Sequence, residues 1–255
     1  MYVAIPKELN DLEPRVAATP GSVKQIIKSG LKVFIESGAG LNSFISDEEY
    51  QNAGATLINS PKELLNNADI TLKVLPPSKK EIDLLKEKSV FISLCQTTRE
   101  LATVSLLSKK KISAFSMHLI PRTTLAQKMD ALSSQANIAG YKAVLIAASR
   151  LGVYMPLLMT AAGTIRPSKV LILGAGVAGL QAIATAKRLG AQVEAFDVRP
   201  IVKEQVESLG AKFIEVKSEG DDGVGEGGYA KETSEDYKQK QQQLIHEHIS
   251  KSDAV

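Results

Sequence analysis

Three glycines at the spacing G-x-G-x-x-G, Gly174, Gly176 and Gly179, are the residues whose pattern indicates chemistry most directly. Such glycines allow a tight turn, a close backbone approach to a pyrophosphate, and close packing of the next helix on a sheet. Asp197 follows 18 residues after Gly179, where a carboxylate can accept hydrogen bonds from an adenosine ribose. The pattern therefore predicts a dinucleotide site, and the acid favours NAD over NADP. Arg199, two residues further on, leaves that preference open.

The elements around these glycines follow the order strand, turn, helix, strand. Residues 170–173 are continuously apolar, as expected of a parallel strand buried on both faces. Residues 177–189 have near-helical apolar spacing, Gly190 ends that helix, and residues 193–196 form a second apolar run. The start of the helix offers unpaired N–H groups and the positive end of its dipole to an anion. A glycine-rich turn in an ordinary α/β domain is the alternative, but this context favours dinucleotide binding.

The bulk composition is that of an ordinary globular protein, with 255 residues, 44% hydrophobic and 23% charged. A net charge of +3, 5% aromatic residues and no Trp give little support to nucleic-acid binding. The single cysteine, Cys95, cannot form an internal disulfide, which fits a reducing cytosol. The N-terminus lacks a signal-peptide pattern, and the most apolar stretch, residues 143–163, is broken by Arg150 and Pro156. We therefore expect no membrane span.

Strands and helices alternate along the chain, which predicts an α/β fold class with two open, mostly parallel α/β domains. The first is predicted to cover residues 1–137. The second, a Rossmann-type dinucleotide-binding domain, is predicted to cover residues 138–255 and to be incomplete at its C-terminal end. Strands are predicted in the first domain at residues 3–5, 32–36, 69–74, 89–94 and 112–115. Its helices are predicted after Thr19, at residues 79–86 and 98–109, and after capping boxes at Ser46-x-x-Glu49 and Ser60-x-x-Glu63.

The remaining segments belong to the second domain or to its connection with the first. Residues 120–134 are predicted to form a loop, and residues 135–151 a long helix that links the domains. Its small residues are expected to form a face for close packing, at Ala139, Ala143, Ile146 and Ala147. Beyond the glycine motif we expect a helix at 201–209, a strand at 212–216, a mobile acidic segment at 219–228 and a polar helix at 232–250.

The last three residues, 253–255, resemble the start of a fourth strand of the nucleotide sheet. A doubly wound domain needs strands on both sides of its switch point, so the chain supplies about half of such a sheet. We expect an exposed sheet edge after residue 216. His246 and His248, two apart on a helix, diverge, which argues against a metal site. His118 and Cys95 are expected to pack in or near the core.

Several segments together resemble one family, the NAD(H)-binding component of the proton-translocating NAD(P) transhydrogenases, which is related in fold to alanine dehydrogenase. The resemblance extends over essentially all 255 residues. It rests on IPKE and RVAATP near the start, ESGAG at 36–40, RTTLAQKMDALSSQANIAGY at 122–141, LGAGVAGLQAIATAKRLGA with DVR at 197–199, and GGYAKE at 227–232. The loop with Arg122, Gln127 and Asp130 is the most specific signal, because alanine dehydrogenases lack that arrangement.

The resemblance implies direct hydride transfer between NAD(H) on this chain and NADP(H) on a partner subunit. Arg122, Gln127, Asp130 and Ser133 would position the nicotinamide. The resemblance and the glycine motif together imply a set of cofactor-binding residues, namely Gly174, Gly176, Val177, Gly179, Asp197, Val198, Arg199, Gly228, Tyr229, Gln241 and Tyr141. In this set Tyr141 would brace the nicotinamide site, and Tyr229 would close over the adenosine side. Taken without the resemblance, Arg122 and Asp130 could simply pair to hold a surface loop, and Tyr229 could face solvent.

The resemblance also implies partners: NADP(H)-binding and membrane-spanning subunits, a homodimer, and a cytoplasmic position peripheral to the inner membrane. Two alternatives remain. An alanine dehydrogenase would need a lysine and a histidine in the first domain, where this chain has Leu75 and Gln96. A truncated or split, non-catalytic polypeptide would need a complementing C-terminal chain, because the family continues for roughly another domain half.

Overall fold

The computed structural model describes residues 1–121, 123–156, 165–216 and 235–255. The chain divides into two compact units, Met1–Asp130 and Ala131–Val255. The domain boundary predicted between residues 137 and 138 lies inside a helix, Ala131–Arg150. The acidic segment 219–228, predicted to be mobile, lies outside the described residues.

The first unit is built on one parallel sheet of six strands in the order β3-β2-β1-β4-β5-β6. The strands are β1 Tyr2–Ile5, β2 Lys32–Glu36, β3 Thr56–Ile58, β4 Ile70–Leu72, β5 Val90–Ser93 and β6 Ser113–Ser116. The helices between them are α1 Pro20–Lys28, α2 Asp47–Asn52, α3 Pro61–Asn67, α4 Lys79–Leu84 and α5 Leu101–Lys109. Ala4 at the centre pairs with Phe34 on one side and Thr71 on the other, so β1 is covered along both edges. Its residues Val3, Ala4 and Ile5 are buried, as a two-sided parallel sheet requires.

Serine caps fix where the short helices of this unit begin. Ser46 accepts a hydrogen bond from the Glu49 N–H while the Glu49 carboxylate accepts one from the Ser46 N–H, which confirms that capping box. At Ser60 the hydroxyl accepts a hydrogen bond from the Glu63 N–H at 3.3 Å. The described contacts of this helix do not include the second bond of a capping box, from the Ser60 N–H to the Glu63 carboxylate. The prediction of a full capping box at Ser60 is therefore wrong, and Ser60 acts as a simple N-cap.

The second unit has a parallel sheet in the order β7-β8-β9. Its strands are β7 Lys169–Leu173, β8 Gln192–Phe196 and β9 Lys212–Phe213, and its helices are α6 Ala131–Arg150, α7 Val177–Leu189, α8 Lys203–Ser208 and α9 Glu235–Ile249. Ala254 forms a parallel bridge with Val170, and the Leu171 N–H donates to the Ala254 carbonyl at 2.9 Å. The predicted start of a fourth strand is thus confirmed, and β7 has neighbours on both edges.

The two faces of this sheet carry different helices. Val170, Val193 and Ala195 belong to the cluster that includes Ile183 and Ala186 of α7. The alternate residues Leu171 and Phe196 pack with Ile214 and with Ile245 of α9. Because successive strand residues point to opposite faces, α7 and α9 cover opposite sides of the sheet. The predicted fold class, two open parallel α/β arrangements with a Rossmann-type second one, is confirmed.

Helix α6 differs from its prediction in two ways. It begins at Ala131, after a short 3₁₀ turn at Gln127–Met129, so the end of the predicted loop 120–134 is helical. Its buried positions are Gly140 and Val144, whereas Ala139 and Ala143 are exposed. The predicted small-residue face is therefore wrong. A Cβ on Gly140 would lie 2.0 Å from the Ala178 carbonyl oxygen, so this glycine is what lets α6 approach α7.

Two further segments are shorter or more irregular than predicted. The helix expected at 201–209 begins as a 3₁₀ turn, Pro200–Val202, before α8. The strand expected at 212–216 is only two residues long. Strand β3 was not among the predicted strands. Cys95 is buried, as expected, and His118 is partly buried.

Candidate dinucleotide-binding site

The glycine turn between β7 and α7 uses each glycine for a different physical reason. Gly174 has φ +101°, a left-handed conformation that side chains disfavour, and its N–H donates to the Phe196 carbonyl at 2.7 Å. A Cβ on Gly179 would lie 1.8 Å from the Gly174 carbonyl oxygen, so this position has no room for a side chain. Gly176 has neither constraint, since nothing lies within 4 Å of its virtual Cβ. The open space at Gly176 is where a ligand's pyrophosphate can approach the backbone.

The N-terminus of α7 is built to receive an anion. The helix runs for 13 residues, begins after Gly176, and has neither a side-chain cap nor an acidic residue in its first turn. Lys187 and Arg188 lie in its last turn, where they complement the negative end of the dipole. Gly176 and Val177 are both exposed, so the helix begins at the surface. The first-turn N–H groups and the helix dipole favour a bound phosphate.

The carboxylate of Asp197 is hydrogen-bonded to the glycine turn. Its Oδ2 accepts a hydrogen bond from the Ala175 N–H at 2.7 Å, which ties the end of β8 to the glycine turn. Its Oδ1 accepts from the Arg199 N–H at 2.8 Å. Burial alone would raise the pKa of Asp197, but the hydrogen bonds from the Arg199 side chain and from these two N–H groups hold it below its usual range. Asp197 is therefore an anion at neutral pH and an acceptor beside the glycine turn.

The Arg199 side chain forms an ion pair with the Asp197 carboxylate. Its guanidinium donates through Nε to Oδ1 at 3.0 Å and through Nη2 to Oδ2 at 3.1 Å. The hydrogen bond to Asp197 raises the pKa of Arg199 above its usual value. Both residues were predicted to bind the cofactor, but the sequence contained no signal for this bidentate pair. Val198 between them is partly exposed.

The other predicted cofactor residues fall in several places. Tyr141 follows Gly140 on α6 and is about half exposed. Gln241 lies partly buried on α9, on the helix that covers the opposite face of the sheet from α7. Gly228 and Tyr229 lie outside the described residues. The structure therefore joins the glycine turn to Asp197 and Arg199, and the roles of Tyr141 and Gln241 stay predictions.

The predicted nicotinamide-positioning residues lie near the junction of the two units in sequence. Gln127 is exposed in the 3₁₀ turn, and Asp130 follows that turn as its partly buried C-terminal cap. Ser133 is partly buried in the first turn of α6. Arg122 lies outside the described residues. Their predicted role in holding the nicotinamide stays a prediction.

Sequence reasoning missed two sets of polar contacts. In the second unit, the Nδ1 atom of His248 on α9 lies 2.6 Å from Glu194 Oε2 on β8, which fixes α9 to the sheet. In the first unit, the Lys73 ammonium is buried between Glu81 at 2.5 Å and Glu8 at 3.5 Å. A lysine at the end of an apolar strand was the one sequence signal for this cluster. No group of three metal-ligating side chains occurs among the described residues. Within the same ranges, no helix combines the length and apolar character needed to cross a bilayer.

Comparison with known proteins gives consistent matches. The alanine dehydrogenase/PNT N-terminal domain matches residues 4–139, and the alanine dehydrogenase/PNT C-terminal domain matches residues 143–255. The first part of the NAD(P) transhydrogenase subunit alpha of Rhodospirillum rubrum is 45% identical, covering 99% of this chain and 67% of that protein. The NAD(P) transhydrogenase subunit alpha of Haemophilus influenzae is 42% identical, covering 100% of this chain and 49% of that protein. The structure of a transhydrogenase from Sinorhizobium meliloti superposes with a TM-score of 0.87 at 45% identity, covering 99% and 68% of the two chains.

By its sheet and its glycine turn, the second unit belongs to the class of Rossmann-type nicotinamide-dinucleotide-binding proteins. The chain as a whole belongs to the alanine dehydrogenase/PNT family, within which its relatives at 42–45% identity are NAD(P) transhydrogenase alpha subunits. The family resemblance drawn from the sequence is confirmed. The chain spans about two thirds of the length of one such relative and about half of another.

Proposed function

We propose that this chain is the NAD(H)-binding component of a proton-translocating NAD(P) transhydrogenase. The observation that carries the proposal is the glycine turn, with an open helix N-terminus on one side and Asp197 hydrogen-bonded to Ala175 on the other. The first feature matches a pyrophosphate, and the second matches an adenosine ribose. The names of the relatives, NAD(P) transhydrogenase alpha subunits, support the proposed reaction class, hydride transfer between NAD(H) and NADP(H).

Direct hydride transfer between two nicotinamides makes modest chemical demands on a protein. It needs no acid, base or nucleophile, only two rings held in near-attack geometry. We assign the positioning of the nicotinamide and its carboxamide to Arg122, Gln127, Asp130 and Ser133, with Tyr141 as a brace. Gln127 is exposed and so can reach a ligand, which supports its part in this assignment. Gly228, Tyr229 and Gln241 are proposed to contact the nucleotide.

The same proposal implies partner subunits. NADP(H) would be held by a separate NADP(H)-binding subunit, and coupling to proton movement would pass through a membrane-spanning subunit. The chain would then lie at the cytoplasmic face of the inner membrane through these partners, as a homodimer. The multi-subunit character is supported by the relatives' names, which denote alpha subunits and portions of them.

Alanine dehydrogenase activity is disfavoured by the first unit. Binding and polarising a keto acid needs a cation and a proton donor there. Leu75 and Gln96 occupy the positions where the resemblance places the lysine and histidine. Lys73 cannot substitute, because its ammonium is buried and held by Glu81 and Glu8.

The test is isotope transfer. The chain is mixed with an NADP(H)-binding component, [4,4-²H₂]NADH and NADP⁺, with and without a polypeptide corresponding to the remaining third of the Rhodospirillum rubrum relative. We expect deuterium in the NADPH formed, since the transfer is direct, and we expect the complemented mixture to be the active one. NADH binding without deuterium transfer in either mixture would overturn the proposed reaction.

A further inference from the structure

The carboxylate of Asp197 accepts four hydrogen bonds from the protein itself. They come from the Ala175 N–H at 2.7 Å, from the Arg199 N–H at 2.8 Å, and from the Arg199 guanidinium at 3.0 and 3.1 Å. A carboxylate offers about four lone-pair sites. An adenosine ribose hydroxyl can therefore reach Asp197 only by replacing one of these four donors.

The four donors are not equally easy to replace. Two are backbone N–H groups, one in the glycine turn and one at the start of the 3₁₀ turn Pro200–Val202, and neither can leave without moving the chain. The other two belong to the Arg199 side chain, which is 34% exposed while that of Asp197 is 6% exposed. Ion pairs with an exposed partner are weak in water because solvent competes for the charge. The guanidinium is thus the donor that a ribose hydroxyl would displace.

The same guanidinium is suited to a second ligand group. Its planar fork matches a phosphate bidentately, and it lies beside Asp197, whose charge would repel a 2′-phosphate. We propose that Arg199 sets how strongly this site discriminates between NAD(H) and NADP(H). It competes with the ribose hydroxyls of NAD(H) for Asp197, and it offers a partner to the 2′-phosphate of NADP(H). This inference rests on the proposed binding of NAD(H) at the glycine turn.

Substitution of Arg199 separates these two effects. Arg199→Met keeps an apolar stem and removes both guanidinium donors, while Asp197 keeps its two backbone N–H donors and so stays hydrogen-bonded. Arg199→Lys keeps the charge but loses the bidentate fork. Arg188→Met, at an exposed arginine in the last turn of α7, is the control for removal of one positive charge. The dissociation constants of NADH and NADPH are measured for each protein by fluorescence titration, and a urea melt checks that each is folded.

We expect Arg199→Met to bind NADH about two- to fivefold more tightly, because the competitor is gone, and NADPH about tenfold more weakly. The ratio of the NADPH dissociation constant to the NADH dissociation constant then rises at least about tenfold. The ratio for Arg199→Lys lies between those of the wild type and Arg199→Met, and Arg188→Met keeps the wild-type ratio. An unchanged ratio in folded Arg199→Met and Arg199→Lys, or equal weakening of both nucleotides, would overturn the inference alone. Failure of the wild-type chain to bind either nucleotide, both alone and with the polypeptide corresponding to the remaining third of the Rhodospirillum rubrum relative, would overturn the proposed function and the inference with it.

Discussion

The same added methyl group should lower stability at one glycine of the turn and nucleotide binding at another glycine three residues away. Gly179 has no room for a Cβ, whereas Gly176 has open space around it. Replacing Gly179 by Ala should destabilise the second unit, and replacing Gly176 by Ala should leave its stability unchanged while weakening nucleotide binding. The pair therefore separates packing from ligand approach within one turn.

The size of the effect at Gly179 follows from the contact. A Cβ there would lie 1.8 Å from the Gly174 oxygen and 2.8 Å from its carbon. A carbon–oxygen contact needs roughly 3.3 Å, so α7 would have to shift by about 1.5 Å relative to β7. Overpacking of this kind costs about 1–3 kcal/mol, and backbone atoms cannot rotate away, which favours the upper end. The better helix propensity of Ala offsets about 1 kcal/mol, so we expect a net loss of about 2 kcal/mol.

The assay is urea and thermal unfolding of the wild type, Gly179→Ala and Gly176→Ala, followed by NADH titration of the folded variants. A loss of about 2 kcal/mol corresponds to a fall in Tm of roughly 5–10 °C for a unit of this size. Gly176→Ala should stay within about 0.5 kcal/mol of the wild type and bind NADH at least about tenfold more weakly, because its methyl lies where the pyrophosphate approaches. Wild-type stability in Gly179→Ala, or equal destabilisation by both substitutions, would refute the packing argument.

Three further outcomes follow from the structure. Lys73→Met should destabilise the first unit by about 3–5 kcal/mol, because it leaves two buried carboxylates without their cation, whereas Lys80→Met on the surface of α4 should change stability by less than about 0.5 kcal/mol. The pKa of Asp197 is lowered in the fold, so its contribution to stability is present above its unfolded pKa and lost as pH falls through the folded one. Urea melts should therefore show a steeper loss for the wild type than for Asp197→Asn between about pH 5 and pH 2. With L-alanine and NAD⁺ the chain should form no NADH, since Leu75 replaces the lysine that the chemistry needs; robust absorbance growth at 340 nm in about 1 mM NAD⁺ would contradict this.

The parts of the fold that could be predicted from sequence are those with strong local signals. Helix α7 has its predicted bounds, because Gly176 and Gly190 bracket a run of helical periodicity, and Gly190 ends it in the left-handed conformation. Strand β2 also has its predicted bounds. In contrast, β3 has only three residues and exists through its pairing with β2, which no local pattern encodes. Helix α6 starts earlier than predicted because serines such as Ser133 are compatible with both a loop and a helix.

Some features of the candidate site could likewise be predicted from the sequence, and others could not. The glycine spacing and Asp197 were predictable, because each has a mechanical reason that depends on neighbours in sequence. The occupation of Asp197 by Arg199 was not, because the identity of two nearby residues does not fix which donors reach a carboxylate. The buried Lys73 cluster was hidden for another reason, since Glu8 and Lys73 are brought together only by the pairing of β1 with β4.

The most direct test of the central claim is a thermal melt of the chain with and without NADH, alongside a fluorescence titration. A ligand that binds only the folded state stabilises it, by about 2.7 kcal/mol at a hundredfold excess over Kd. We predict saturable NADH binding and a matching rise in Tm for the wild type, both strongly reduced in Gly176→Ala. A cooperative melt that does not shift at millimolar NADH would contradict the claim that the glycine turn and Asp197 form a dinucleotide site.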